Sequence, residues 1–250
     1  MLYPIELQVH ADFLVIPRPI GKGCPLPLTL YAPADLLQNG TFGERFIGHL
    51  SSKTELILEI LHFPHPILRH PAKPIRRVDE NLRAAIRRMF ELMYEHSGVG
   101  LAAPQVGIPL RFFVANETGN PHEGTQRVFI NPVISQAKGV EEEEEGCLSI
   151  PSIRGRVKRS KTLFIRAFDL QGNEIAEPVG GFMARIIQHE TDHLDGILFL
   201  DRLTENSRLA LEDRLSDFVA DFEARQRTGS LPNDPQIAES IQEWESRYCG

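Results

Sequence analysis

Apolar positions keep no regular spacing through the first 55 or so residues. Pro17, Pro19, Pro25 and Pro27 interrupt the early part, and "LLQNGTFGERFIGHLSSKT" follows without a sustained period. From there the pattern sharpens. Leu82, Ile86, Met89, Phe90 and Met93 recur at i, i+4, i+7, i+8 and i+11, the stripe of an amphipathic helix. Asp79 is its candidate N-cap and Gly98 its stop signal. Strand-like runs come next: "LRFFVA" near 110–115, "RVFINPVI" near 127–134 and "TLFIRAF" near 162–168. The turn "DLQGN" leads into "EIAEPV", which predicts a hairpin. Gly180 and Gly181 then precede a helix from about Phe182 to Leu194. A further helix carries Leu211, Leu215, Phe218 and Phe222 on one face, with Thr204 as its cap. The end of the chain predicts a turn and a short helix presenting Ile237, Ile241 and Trp244.

Strands fill the middle and helices flank them. Their short connections favour antiparallel pairing, so the expected fold is α+β: antiparallel strands packed around a central helix, with N- and C-terminal helices at the flanks. Residues 1–55 read as an N-terminal extension, 56–226 as the folded domain and 227–250 as a C-terminal tail.

Composition narrows the function. With 42% hydrophobic residues the chain can build a packed core. A formal charge of −7 weighs against direct nucleic-acid binding, which needs a basic face. No apolar run approaches the roughly 18 residues of a membrane span. The first residues lack the layout of a secretory signal, and Glu6 and Asp12 do not suit a transit peptide. Three widely spaced cysteines, Cys24, Cys147 and Cys249, make a poor disulfide framework, so a reducing cytoplasmic setting is expected.

The candidate chemistry lies in "QHETDHLDG", Gln188 to Gly196. On a helix, His189 and His193 share a face and can hold one cation. Glu190 points about 100° away from His189 around the helix, outside the ligand row but within reach of a water at the ion. The apolar lead-in "FMARII" implies a buried helix, in which unpaired His and Glu are costly. A catalytic site needs a third protein ligand. The chain has no histidine after His193, whereas Cys147 in "EEGCLSIPS" supplies a thiolate. Cysteine with two histidines suits Zn²⁺ or Fe²⁺ by donor type. The bland reading of Cys147 is a small buried hydrophobe. Lone histidines such as His96 and His122 read as surface or capping residues, and "EEEEE", Glu141 to Glu145, as a solvated face with a local role for Glu145 at its end.

Three segments together resemble peptide deformylases: "GVGLAAPQVG" (Gly98–Gly107), "EGCLS" (Glu145–Ser149) and "QHETDHLDG". "FPHPILR" (Phe63–Arg69) looks like that family's opening, and the likeness spans about residues 57–203. It implies a metal-dependent hydrolase that removes the N-formyl group from the initiator methionine of newly made polypeptides. It also implies metal ligation by Cys147, His189 and His193, acid/base work by Glu190, and an oxyanion site of Gln105 with the Leu148 backbone N–H. Gly98, Val99, Gly100 and Leu101 would border the substrate. The family's usual metal is Fe²⁺, with Zn²⁺ or another divalent ion substituting. Formyl-methionyl nascent peptides are the implied partners, near the ribosome, for a monomeric cytoplasmic enzyme. Phe182 and Ile186 fit either a methionine pocket or plain core packing. A metalloprotease is the main rival, weakened by the missing downstream ligand; a non-enzymatic metal module has no use for Glu190.

Overall fold

The structure, a computed structural model, describes residues 58–250. The N-terminal extension and Cys24 lie outside the described residues. Helix α1 spans Glu80–Glu95, and its Asp79 cap accepts a hydrogen bond from the Leu82 N–H. The helix stops before Gly98 is reached: His96, two residues earlier, is the C-cap, and Ser97 takes the left-handed conformation at φ 56°. Gly98 instead donates its N–H to the Met93 carbonyl at 2.8 Å.

Five strands form an antiparallel sheet in the order β1-β2-β3-β6-β7, comprising Gly100–Ala102, Phe112–Ala115, Arg127–Lys138, Thr162–Phe168 and Glu174–Gly180. Strands β4 (Glu141–Cys147) and β5 (Ile150–Arg159) pair separately as a hairpin. Helix α2 is Gly181–Leu194, followed by α3 (Glu205–Leu209), α4 (Glu212–Arg227) and α5 (Asp234–Tyr248). The mixture of helices and antiparallel sheet is the expected α+β class.

Alternation along β2 explains the layering. Phe112 and Val114 join α1 in one core, while Phe113 and Ala115 join α2 and the inner residues of β6 in another. Both faces of β2 are covered, so its sequence reads as the unbroken apolar run FFVA. A third core gathers Ile150, Ile153 and Val157 of β5 with Leu198 and Phe199.

Three local expectations are refined. The "EEEEE" run is strand β4: Glu142 to Glu144 are exposed, as a solvated face should be, whereas Glu145 at its end is buried. Opposite charges across the hairpin, Glu144 with Arg154 and Glu142 with Arg156, offset the weak strand preference of glutamate. Thr204 caps only the short α3, and the Leu215–Phe222 stripe belongs to the separate α4. The terminal helix is 15 residues long, and Trp244 and Tyr248 are buried in the α1 core.

Candidate active site

Two elements carry the proposed ligands. Cys147 ends β4, and α2 presents His189 and His193 one turn apart. The helix is held by its apolar side: Ala184 and Ile187 are fully buried against Phe113, Phe129 and Leu163. Its other side thereby faces β4. Cys147 Sγ lies 3.3 Å from His193 Nε2, and one donor atom from each of the three residues falls within 4.8 Å of the others.

The hydrogen bonds select the ring nitrogens. His189 Nδ1 faces Glu145 Oε2 at 3.1 Å, so its Nε2 is left for the centre of the cluster. Glu145 is itself held by Arg159, through Nε and Nη2 at 3.0 Å each, and by Arg185 Nη1 at 2.6 Å. Arg159 continues through Nη1 to Asp192, whose other side meets Arg202.

Burial and these neighbours set the charge states. Burial alone would raise the Glu145 carboxyl, but the bonds from His189 and Arg159 hold it well below the ordinary carboxylate range. Burial opposes charge on His189 as well; Cys147 and Glu145 outweigh it and lift the ring to about 10. Burial lowers His193 well below its usual value, which keeps it a neutral donor. Burial raises Glu190 to about 7, against the opposing pull of His189 and Arg159.

A cysteine sulfur and two imidazoles converging in a space this small are a ligand set for a divalent ion. His193 Nδ1 and Glu190 Oε2 are buried without a hydrogen-bond partner, a cost that a purely structural cluster would have no reason to carry. The model of the Polypeptide deformylase family matches residues 57–209. The chain belongs to this family. A peptide deformylase of Rhodopirellula baltica is 52% identical over 193 residues, covering 77% of this chain and 96% of that protein. A chloroplastic peptide deformylase 1B of Solanum lycopersicum is 36% identical over 240 residues, covering 94% and 84% of the two chains. The crystal structure of a plant peptide deformylase superposes with a TM-score of 0.66 at 37% identity, covering 74% of this chain and 99% of that one. The chain is thus a deformylase, a hydrolase removing the N-formyl group from newly made polypeptides.

The candidate site continues into a cavity of about 710 Å³ that reaches His189 and Glu190. Gly98, Val99 and Gly100 line it, as do Leu148 and Gln105. Gln105 is fixed from both ends. Its Oε1 accepts the Ala102 N–H at 2.8 Å, which turns Nε2 toward Ser149 Oγ at 3.2 Å and Cys147 Sγ at 3.4 Å. Two glycines sit in close contact: a Cβ on Gly98 would lie 2.8 Å from Leu148 Cδ1 and push that side chain aside, and one on Gly100 would overlap the Glu190 carboxylate.

Leu101 is not brought to the cavity. Its side chain is fully buried in the α1 core, because alternation along β1 turns it away from the neighbouring glycine. Phe182 and Ile186 both line the cavity, Phe182 half-exposed and Ile186 also part of the α2 core. Sequence reasoning missed Arg159, Arg185 and Asp192 and understated Glu145. One signal was present: Glu145 and Cys147 are two apart, so a strand puts both on one face.

Proposed function

We propose that Glu190 is the acid/base of the reaction, with Cys147, His189 and His193 holding a divalent ion and Gln105 and Leu148 binding the formyl oxygen. Such an ion, when bound, acidifies water and polarises a carbonyl. Glu190 accepts the proton of the attacking water. As the new C–O bond forms, negative charge gathers on the formyl oxygen, where the Gln105 Nε2 and the Leu148 N–H donate to it. Glu190 then passes the proton to the nitrogen as the C–N bond breaks, leaving formate and a free amino terminus. Gly98, Val99 and Gly100 border the peptide backbone, and Phe182 with Ile186 receives the methionine side chain.

The observation that carries the reading is the Glu190 carboxylate. It is buried, lines the cavity, adjoins a ligand in sequence and keeps one oxygen without a partner. Burial that raises it toward neutral pH suits a group that both takes and returns a proton. Incubation with a formyl-methionyl peptide and its unformylated twin tests the assignment. Formate release with intact peptide bonds is expected; backbone cleavage of either peptide would point to a protease.

Fe²⁺ is our choice of ion, on the mixed sulfur and nitrogen donors, with Zn²⁺ as the alternative. Metal analysis after anaerobic purification decides between them, and a fully active, air-stable zinc protein would overturn the choice. We also read the enzyme as a cytoplasmic monomer acting close to the ribosome. Among the described residues no helix is long and apolar enough to cross a membrane. Residues 1–55 are read as an extension outside the catalytic domain, which agrees with a family match beginning at residue 57.

A further inference from the structure

We propose that Arg159 is a positioning residue that sets the geometry of the metal site by bridging its two halves. The proposal rests on the ligand set above. Cys147 comes from β4 and the histidines from α2, so something other than the ion must fix the separation between strand and helix. Arg159, on the partner strand β5, spans that gap with one planar group. Nε and Nη2 grip both oxygens of Glu145, two residues from Cys147 and in contact with His189. Nη1 reaches Asp192 Oδ2 at 2.5 Å, one residue before His193. The side chain is only 4% exposed, so water cannot replace any of these contacts cheaply.

The neighbouring cations do different work. Arg185 ties Glu145, Glu143 and the Glu141 carbonyl to α2 one turn before His189. Arg202 meets Asp192 from the solvent side, is 44% exposed and has no contact with Glu145. Arg159 reaches past His189 to the His193 end of the helix, and so couples both histidines to the strand that carries Cys147. Geometry explains the residue type. A lysine ammonium keeps the charge but cannot hold one carboxylate with two parallel bonds while donating a third to another.

The test uses Arg159→Lys and Arg159→Met, with Arg202→Met as the comparison. Co²⁺ affinity is measured by chelator competition, and the visible Co²⁺ spectrum is recorded without substrate; kcat and KM follow at saturating metal. Outer partners of metal ligands are typically worth about 10- to 100-fold in affinity or activity. Arg159→Lys should fall in that range, shift the Co²⁺ bands and lower kcat with KM little changed, while Arg202→Met should stay close to wild type. Wild-type affinity and spectrum in Arg159→Lys would overturn the proposal, as would an equal loss in Arg202→Met. Should an Arg159 variant fail to fold, Asp192→Asn, which weakens the far end of the bridge together with the Arg202 contact that Arg202→Met removes by itself, must show the spectral shift that Arg202→Met lacks or the proposal fails. Because the readout is metal binding, it stands apart from whether the chain deformylates peptides.

Discussion

Gly100 and the Glu190 carboxylate occupy adjoining space so closely that a single Cβ on the glycine would collide with the acid. The glycine therefore leaves room for the proposed base as well as for the peptide backbone proposed to bind beside it. Gly100→Ala should push the carboxylate from its place and lower kcat by roughly 100-fold, the scale of a misplacement of about 1 Å. Bound metal should remain near one per chain, and Glu190→Asp in the same chain should recover part of the rate by shortening the acid. Normal turnover in Gly100→Ala would show that Glu190 has room to spare.

Ligand and base separate by measuring metal and turnover together. Glu190→Gln preserves shape but cannot accept a proton, so kcat should fall by roughly 10² to 10⁴ while metal stays bound. Cys147→Ala and His193→Ala should lose metal and activity together, because two remaining donors hold a divalent ion poorly. Loss of metal in Glu190→Gln would reassign Glu190 as a ligand.

Glu190 also gives the metal-free protein a pH signature. Its folded pKa near 7 lies above the ordinary 4.5, so the folded state keeps the proton longer than the unfolded chain does. The associated stability is present below pH 4.5 and is lost as pH rises through about 7. Neutral Glu190→Gln escapes that loss. At pH 8 the metal-free variant should exceed wild type by about 3 kcal/mol, with the two converging near pH 4. Denaturant titrations at both pH values check this, and a gap independent of pH would contradict it.

The two ends of the chain should respond oppositely to change. Deleting residues 1–54 should leave deformylation nearly unaltered, since every proposed site residue lies at Gly98 or beyond. Trp244→Ala should cost about 3–5 kcal/mol, because the indole is fully buried against the α1 core. Activity assays on the truncation and denaturant midpoints for the variant report the two outcomes. Collapse of activity in a folded truncation would place the extension in the site.

The chemistry of this protein was legible in short range. A helical period of four brings His189 and His193 to one face, the intervening Glu190 falls off that row, and three local motifs carry the family. Strands such as Thr162–Phe168 were equally readable, since alternation between a core and a wet face is written residue by residue. What the sequence left open depended on partners distant along the chain. Glu142 to Glu144 are the solvated charge that the run suggests, but the burial of Glu145 was not readable, because the arginines that pair with it belong to β5 and α2. That the Leu101 side chain turns into the α1 core was not readable either, because the motif does not reveal which face of β1 turns inward. Tertiary structure decided that Glu145 sits buried between Arg159, Arg185 and His189, and so joins strand to helix around the proposed metal site. A charge is buried only where several partners converge on it, and that convergence is a property of the packed fold.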